Sequence, residues 1–368
     1  MANMSEEQDR EYMGRAIEIA RRGEGAVEPN PMVGCVLVRD GEVIGEGWHE
    51  KYGGPHAEAN ALTNCADPRG ATAYVTLEPC CHTGKTPPCA DALIEVGIKR
   101  VVISQADPFP AVDGGGLAKL IAAGIAVEVG LLANEAKYLI APYLTKVEQK
   151  RPWVIAKWAM TCDGKIASAS GHSQWISGER SRAQVHQLRG RVDAIVVGRG
   201  TVEADDPLLT ARPAGQRVAL RVVFDSAAAL PLTSKLATTT NEFPTLVVCG
   251  DEAKDSSLDS LRQCGVEIMQ LSGDRQERVV VALQKFAERG FTNVLLEGGH
   301  DLLGSFFDAD VIDEVHVYMA PKIVGGSAAR HPLGGVGMET MTEARNMTSV
   351  KVEILDGDVH LSGRIERS

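Results

Sequence analysis

Short apolar runs alternate with segments of helical spacing over the first 130 residues. Ser5 and Gln8 form a potential capping-box pair, and apolar residues from Met13 to Ala20 follow at helical spacing, so we predict a helix that ends near residues 23–25. Further helices are predicted over residues 56–65, 90–97 and 116–123, and strands over residues 33–38, 42–47, 73–77, 100–104 and 125–130. Strands that alternate with helices of about ten residues are typical of a layered α/β domain.

The pattern loosens after residue 131, and the charged segment 146–152 ends in proline. We therefore predict a linker here, with a domain boundary between residues 146 and 147. A second α/β unit follows, and its last two strands are expected to form a hairpin at Asp356-Gly357. Its earlier strands are predicted over residues 153–160, 194–197, 221–224, 245–249, 266–271, 293–297 and 315–320.

The composition narrows the possible classes of protein. With 44% hydrophobic and 24% charged residues, the 368-residue chain is an ordinary globular protein of about two domains. Its net charge of −11 makes it a poor binder of polyanions, although a local basic pocket could hold one small phosphate. Eight cysteines are too few for a secreted disulfide scaffold. The first residues are acidic and no apolar run reaches the length of a membrane span, so we expect a reducing cytoplasm.

One group of residues in the first half has the chemistry of a zinc site. His56 and Glu58 lie at a predicted helix start, Cys80 ends a predicted strand, and Cys89 follows nine residues later. One imidazole and two thiolates are a ligand set that catalytic zinc takes while one position stays open for water. Glu58, two residues after the histidine, can carry a proton between that water and a leaving amine. This arrangement is typical of zinc nucleobase deaminases.

The spacing of the cysteines departs from that general pattern, in which two residues separate the ligands. Eight residues separate Cys80 from Cys89, and the adjacent pair Cys80-Cys81 would chelate poorly. We therefore expect a loop over the site that carries His82 and Lys85, two polar side chains suited to substrate contact. A purely structural zinc site would need a fourth ligand, which Cys81 or His82 could supply.

The second half has no G-x-G-x-x-G motif after its first strand. Glu297-Gly298-Gly299 instead lies where an apolar strand meets a predicted helix, and such glycines allow phosphate oxygens to approach backbone N–H groups. A Gly-Gly pair is also typical of a plain tight turn.

Several motifs resemble one family, the bifunctional riboflavin-biosynthesis deaminase/reductases. PNPMVGCVLV, GGPHAEANAL, GATAYVTLEPCCHTGKTPPC and RVVISQADPFPAVDGGG are similar to its deaminase half. DGKIA, SQWIS, GRGTVEADDPLLTAR and LLEGG are similar to its reductase half, and the resemblance extends from Asn30 to about Lys322. It implies an α/β protein with a cytidine-deaminase-like three-layer domain over residues 1–146 and a dihydrofolate-reductase-like domain over residues 147–368.

The resemblance also implies two reactions. The first is zinc-dependent hydrolytic deamination of 2,5-diamino-6-ribosylamino-4(3H)-pyrimidinone 5′-phosphate. The second is NADPH-dependent reduction of the ribosyl group, which gives 5-amino-6-ribitylamino-uracil 5′-phosphate. The implied cofactors are one zinc ion per chain and NADPH, and the implied assembly is a homo-oligomer that acts on small phosphorylated pyrimidines, not on nucleic acid or membranes.

The matching motifs assign roles to individual residues. In the deaminase half they imply His56, Cys80 and Cys89 as zinc ligands, Glu58 as the proton carrier, and Asn30, His82 and Lys85 as substrate contacts. The implied NADPH pocket contains Ala159, Trp175, Thr201, Asp205, Ser226, Gly299, His300, Asp301, Leu302, Leu303, Gly304 and Ser305. The implied reductase substrate pocket contains Lys157, Ser173, Arg189, Leu209, Arg212 and Glu297. In that pocket Arg189 and Arg212 can neutralise a phosphate dianion, although Arg189 could instead be a solvated helix residue. The sequence MTCDG at residues 160–164 stands where this family commonly has ASLDG.

Two alternatives remain at this stage. A nucleic-acid-acting zinc deaminase with an appended binding domain would need a basic stripe and stacking aromatic residues, whereas the net charge is −11 and aromatic residues make up only 5%. A non-catalytic regulator that kept the fold would tolerate loss of the reactive groups, yet Glu58 and the three ligands are all present.

Overall fold

The structure is a computed structural model that describes residues 6–82, 87–110, 112 and 114–366. Contacts within the chain divide it into two units, Met1–Lys150 and Arg151–Ser368. The sequence-predicted boundary between residues 146 and 147 lies just before this division, in the last turn of the helix that ends at Gln149. Ser5 and Lys85, two residues that the sequence analysis singles out, lie outside the described residues.

A mixed sheet forms the centre of the first unit. In its described part the strands are β1 (Gly34–Arg39), β2 (Glu42–Trp48), β3 (Thr72–Val75), β4 (Arg100–Ile103) and β5 (Ala126–Val129). They lie in the order β2-β1-β3-β4-β5. β1 is antiparallel to both β2 and β3, whereas β3, β4 and β5 run parallel.

Helices cover both faces of this sheet. The described helices are α1 (Glu6–Ala20), α2 (Ala57–Thr63), α3 (Cys89–Glu95), α4 (Gly115–Ala122) and α5 (Ala133–Gln149), and a 3₁₀ turn at Arg21–Gly23 follows α1. Val36 and Tyr74 pack with α1 and α5 in one core, whereas Leu37 and Val75 pack with α2, α3 and α4 in the other. Successive strand residues point to opposite faces, so these strands are buried on both sides and the unit has three layers.

Glycines on β2 allow α2 to lie against the sheet. A Cβ atom on Gly47 would lie 2.2 Å from the backbone nitrogen of Ala61 and 2.5 Å from the carbonyl oxygen of Ala57. Any other residue at this position would therefore push α2 away. The first turn of α2 carries Glu58, and its N-cap is His56, so this contact sets the position of both side chains.

The sequence pattern predicts no element over residues 131–146, whereas the structure has α5 there. Ala136, Leu139 and Ile140 are buried at helical spacing, as a helix packed on a sheet requires. Pro142 lies inside the helix and the backbone departs from helical dihedrals at Ile140. Proline lacks the N–H for the helical hydrogen bond and its ring crowds the preceding turn, so the kink follows.

A larger sheet forms the second unit. In its described part the strands are β6 (Trp153–Thr161), β7 (Ala194–Gly198), β8 (Leu220–Phe224), β9 (Thr245–Cys249), β10 (Glu267–Gln270), β11 (Asn293–Leu296), β12 (Glu314–Ala320), β13 (Met347–Leu355) and β14 (Asp358–Ile365). Their order is β10-β9-β8-β7-β11-β6-β12-β14-β13. The strands from β10 to β12 run parallel, whereas β14 is antiparallel to β12 and to β13. The predicted hairpin is confirmed, and Asp356 and Gly357 both have positive φ as a two-residue hairpin turn requires.

The described helices of this unit are α6 (Glu179–Arg189), α7 (Arg199–Asp205), α8 (Lys235–Thr238), α9 (Asp255–Gln263), α10 (Arg275–Glu288) and α11 (His300–Asp308), with a 3₁₀ turn at Met341–Glu343. Leu283 and Phe286 of α10 pack with Leu303 and Phe306 of α11 on one face of the sheet. The carboxyl ends of the parallel strands share one edge, which is where open α/β sheets bind their ligands. None of the described helices combines the length and apolarity needed to cross a membrane.

Candidate active sites

Three potential metal ligands converge in the first unit. His56 is the N-cap of α2, Cys80 follows β3, and Cys89 is the first residue of α3. Their ligand atoms all lie within 4.8 Å of one another, and His56 Nδ1 is 3.5 Å from Cys80 Sγ and 3.3 Å from Cys89 Sγ. Around tetrahedral zinc, nitrogen and sulphur ligands are about 3.6 Å apart, so the donor set and its spacing fit zinc. Among the described residues, the cluster consists of these three ligands and includes neither Cys81 nor His82.

The turn that presents Cys80 is fixed by an acidic residue that the sequence analysis did not single out. The buried carboxylate of Glu78 accepts hydrogen bonds from the backbone N–H groups of Gly116 at 3.0 Å and Leu117 at 3.2 Å, in the first turn of α4. A Cβ atom on Gly116 would lie 2.0 Å from the carbonyl oxygen of Pro79. Glycine at this position therefore allows the helix N-terminus to approach the Glu78-Pro79-Cys80 turn. These bonds join residues 38 or more positions apart, so no local pattern indicates them.

The two thiols of the cluster titrate together. Hydrogen bonds from the Cys89 side chain and from His56 lower the pKa of Cys80 against the effect of burial. The hydrogen bond to Cys80 and burial raise the pKa of Cys89. Zinc takes thiolate ligands, so its binding would be coupled to the release of protons from these side chains.

Glu58 has the environment of a proton carrier. It lies in the first turn of α2 and is 3% exposed. Burial raises its pKa, and the neighbouring Cys80 adds to this effect. A buried carboxyl group with a raised pKa holds a proton more readily than an exposed one, which suits general acid–base catalysis.

Asn30 lies close to this cluster through a histidine that the sequence analysis did not identify. Asn30 Nδ2 is 3.2 Å from His49 Nε2, and His49 Nδ1 is 2.9 Å from the carbonyl oxygen of Pro55. The ring of His49 meets that of His56 edge-on at 5.4 Å. Burial lowers the pKa of His49, so the neutral ring can donate from Nδ1 to Pro55 and accept from Asn30 at Nε2. His82 lies 6.5 Å from the Phe109 ring.

A buried ion cluster lies at the carboxyl end of β11 in the second unit. Glu297 Oε2 is 2.9 Å from Lys157 Nζ, and Arg189 donates from Nε and Nη2 to the two carboxylate oxygens at 2.6 and 2.8 Å. Burial raises the pKa of Glu297, but Arg189 and Lys157 outweigh this effect and hold it below its usual range. Three residues of the predicted substrate pocket are thereby brought together. Arg189 already has a carboxylate partner, so it is not a solvated helix residue.

The remaining predicted substrate residues lie in two loops. Ser173 Oγ donates to Asp205 Oδ1 at 2.9 Å, which joins a predicted substrate residue to a predicted cofactor residue. Leu209 is buried with a positive φ, and the exposed Arg212 places Nη2 3.3 Å from His186 Nε2. Arg212 is therefore the more accessible of the two predicted phosphate-binding arginines.

Several predicted cofactor residues lie at or near strand ends on one edge of the sheet. Ala159 is on β6, Thr201 is in the first turn of α7, Ser226 follows β8, and residues 299–305 are the N-cap and first six residues of α11. A Cβ atom on Gly299 would lie 3.2 Å from Thr201 Oγ1, so these two segments adjoin. A helix N-terminus capped by glycine offers backbone N–H groups to an anion, and this edge therefore fits a dinucleotide phosphate.

Lys322, which follows β12 at this edge of the sheet, donates from Nζ to a backbone carbonyl oxygen at 2.6 Å, and that carbonyl belongs to Trp175. Trp175 is 65% exposed, and the Arg182 guanidinium lies 4.7 Å from its ring centre.

The departure from the usual motif at residues 160–164 preserves a hydroxyl group. Thr161 Oγ1 donates to Asp163 Oδ1 at 2.6 Å and accepts from the Lys165 N–H at 2.9 Å. A serine could make the same two bonds.

Two family models match this chain. The cytidine and deoxycytidylate deaminase zinc-binding region matches residues 6–105, and the RibD C-terminal domain matches residues 152–361. The fold and the sites thus define a zinc-dependent deaminase joined to a reductase. The riboflavin biosynthesis protein RibD of Actinobacillus pleuropneumoniae is 44% identical over 356 residues, which cover 96% of this chain and 94% of that protein. This chain belongs to the RibD family of riboflavin biosynthesis proteins.

Solved structures agree with this assignment. RibD of Acinetobacter baumannii in its form 1 aligns with a TM-score of 0.86 and 35% identity over 99% of this chain and 100% of that one. A diaminohydroxyphosphoribosylaminopyrimidine deaminase/5-amino-6-(5-phosphoribosylamino)uracil reductase from Thermotoga maritima aligns with a TM-score of 0.83 and 37% identity over 98% and 99%. The predicted cytidine-deaminase-like and dihydrofolate-reductase-like folds, the bifunctional enzyme and its zinc and NADPH are therefore confirmed.

Proposed function

We propose that residues 1–146 deaminate 2,5-diamino-6-ribosylamino-4(3H)-pyrimidinone 5′-phosphate. We further propose that residues 147–368 reduce the ribosyl group of the product to give 5-amino-6-ribitylamino-uracil 5′-phosphate. The observation that carries this proposal is a buried proton carrier, Glu58, beside a three-ligand cluster that fits zinc. The name of the Thermotoga maritima relative supports the choice of substrates.

In the deamination site, His56, Cys80 and Cys89 would hold zinc. Zinc with three protein ligands keeps a fourth position for water and lowers the pKa of that water. Glu58 takes the proton from the attacking water on a carboxylate oxygen and delivers it to the leaving amine. Its burial supports this role, because burial raises the pKa of the carboxyl group and so favours uptake of a proton.

Substrate contacts in this half are assigned to Asn30, His82 and Lys85. The buried His49 supports Asn30, since a neutral ring that accepts at Nε2 holds the amide with its nitrogen towards the histidine. The amide oxygen of Asn30 is then directed away from His49 and can accept a hydrogen bond from a pyrimidine amine. Lys85 and the segment 83–86 lie outside the described residues.

In the reduction site, the NADPH-binding residues are assigned along the carboxyl edge of the sheet. NADPH, when bound, supplies a hydride to the ribosyl carbon. The backbone N–H groups at the start of α11 would bind its pyrophosphate, while Ala159, Trp175, Thr201, Asp205, Ser226 and residues 299–305 form the pocket. Lys157 and Glu297, held together with Arg189, would orient the ribosyl hydroxyls, and the exposed Arg212 would bind the substrate phosphate.

The wider setting follows from the same assignment. The chain is proposed to act in the cytoplasm as a homo-oligomer on small phosphorylated pyrimidines. Nucleic acid and membranes are not proposed as partners, in keeping with the net charge of −11.

Replacing Glu58 tests the proposal directly. Glu58→Gln removes the proton carrier and leaves the ligands, so deamination should fall by about 10²–10⁴-fold. Zinc content and NADPH oxidation with the deaminated substrate should be unchanged. Deamination is measured on the full chain with the diaminopyrimidinone phosphate, and reduction is measured with its deaminated product. Glu42→Gln, on the exposed end of β2, is the matched control.

Full deamination by Glu58→Gln would mean that another group carries the proton. No NADPH oxidation by the unaltered chain with the deaminated substrate would contradict the proposed reduction.

A further inference from the structure

A carboxylate of the chain itself occupies an anion-binding arrangement beside the proposed cofactor site. Glu252 lies in the turn after β9 and accepts two hydrogen bonds from Arg278 Nη1, at 3.1 and 3.0 Å. It also accepts hydrogen bonds from the Ser226 hydroxyl and from its own backbone N–H. We call Ser226 and Arg278 the anion cradle. A guanidinium and a hydroxyl are the donors that proteins commonly direct at phosphate oxygens.

The anion cradle is a fixed part of the fold, whereas its occupant is not. The Arg278 side chain is 11% exposed, and its Nη2 donates to Ser226 Oγ at 3.1 Å. A Cβ atom on Gly250 would lie 1.6 Å from Arg278 Nη1, so the guanidinium lies directly against the backbone at the carboxyl end of β9. Glu252 is 52% exposed and can leave the cradle without disturbing the core.

The position of the cradle follows from the order of the strands. β6, β11, β7 and β8 are successive neighbours in the sheet. The proposed cofactor residues Ala159, Gly299, Thr201 and Ser226 lie at or near the carboxyl ends of these strands in the same order. Three strand spacings correspond to about 14 Å. A dinucleotide with its nicotinamide near Ala159 and its pyrophosphate at Gly299 would therefore bring its adenosine ribose to Ser226.

We propose that Ser226 and Arg278 bind the 2′-phosphate of NADPH and that this phosphate displaces the Glu252 carboxylate. The proposal rests on the NADPH site assigned above, and it identifies the residues that distinguish NADPH from NADH. NADH has a hydroxyl in place of this phosphate, which a carboxylate can accept as a hydrogen-bond donor. Arg278 and Glu252 therefore have opposite effects on coenzyme preference.

Binding of coenzymes and their fragments tests this assignment without turnover. Dissociation constants for NADPH, NADH, 2′,5′-ADP and 5′-AMP are measured by calorimetry on the full chain. Arg278→Gln should weaken the binding of NADPH and of 2′,5′-ADP by about 10- to 100-fold, because charged hydrogen bonds are lost. It should weaken the binding of NADH by less than about threefold. Arg278→Lys should weaken NADPH binding to an intermediate degree, since lysine keeps the positive charge but lacks the paired N–H donors of the guanidinium. Glu252→Gln should strengthen the binding of NADPH relative to the binding of NADH.

Arg289→Gln is the matched control, because Arg289 is the C-cap of the same helix, α10, and pairs with Glu267 in a comparable ion pair. It should leave both coenzyme affinities unchanged. Equal weakening of NADPH and NADH by Arg278→Gln, or no weakening of either, would overturn the assignment, as would a weaker NADPH preference in Glu252→Gln. If the unaltered chain binds NADPH but binds 2′,5′-ADP no more tightly than 5′-AMP, the cradle assignment fails alone. If it binds no coenzyme, the proposed reduction site fails as well.

Discussion

At the scale of single residues, both sites depend on buried charges with defined partners. Glu297 is 5% exposed and is held between Lys157 and Arg189, and Glu78 is buried against four backbone N–H groups. A buried carboxylate without such partners would become protonated or destabilise the fold. The partners therefore fix both the charge and the position of groups on which substrate or metal would depend.

Glu297→Gln should lower the free energy of unfolding by about 3–5 kcal/mol near pH 7, because two buried cations lose their counter-charge. The folded-state pKa of Glu297 lies below its usual 4.5. Its contribution is therefore complete above about pH 4.5 and is lost as the pH falls below that value. Urea titrations at several pH values should show the difference between Glu297→Gln and the unaltered chain shrinking in acid.

Glu267→Gln gives the comparison for this prediction. Glu267 pairs with Arg289 near the surface, where an ion pair contributes at most about 1 kcal/mol. The prediction fails if the loss in free energy of unfolding caused by Glu297→Gln stays constant from pH 7 to pH 3. Such a result would show that the carboxylate charge is not what stabilises the cluster.

The residues that the sequence could predict are those whose chemistry is local. His56 and Glu58 are two positions apart, and Cys80 and Cys89 follow a strand, so their types and spacing indicate a zinc site. The anion cradle joins Ser226 to Arg278 across 52 positions, and no local pattern indicates such a pair. The individual roles assigned to the predicted site residues remain predictions.

At the scale of elements, the sequence pattern predicts the central strands well, because strands such as β1, β7 and β9 are buried on both faces and form continuous apolar runs. Helix α5 was not predicted, because Pro142 interrupts its pattern and only packing on the sheet stabilises the kinked helix. Tertiary contact also explains the glycine at position 116. Its lack of a side chain allows α4 to meet the turn that carries Cys80.

Gly116→Ala should therefore weaken the zinc site through the position of a helix. The added methyl group would lie 2.0 Å from the Pro79 carbonyl oxygen, so α4 or the turn must move. We expect a loss of about 1–3 kcal/mol in stability and faster loss of zinc to a chelator. Urea titration measures the stability, and a colorimetric zinc indicator measures the rate of zinc loss.

Gly14→Ala is the matched control, since Gly14 lies in α1 with its nearest atom 4.0 Å from an added Cβ. Alanine there should stabilise the helix by about 0.5–1 kcal/mol and leave zinc retention unchanged. Equal zinc retention in Gly116→Ala and Gly14→Ala would contradict the proposed link between α4 and Cys80.

At the scale of the whole molecule, each unit has its own sheet and its own hydrophobic core. The residues assigned to zinc lie in Met1–Lys150, and those assigned to NADPH lie in Arg151–Ser368. Each set of side chains is held by contacts within its own unit. The two reactions should therefore respond separately to loss of a cofactor.

Removal of zinc by a chelator should abolish deamination and leave the NADPH-dependent reduction of the deaminated substrate unchanged. The reason is that the Lys157–Arg189–Glu297 cluster and the glycine-capped α11 need no metal to keep their positions. Calorimetric unfolding should show the same separation, because a ligand stabilises only the unit that binds it. The transition that zinc raises should move to lower temperature in chelator, and the one that NADPH raises should not. A parallel loss of both activities in chelator, restored by zinc alone, would instead mean that the metal supports both reactions.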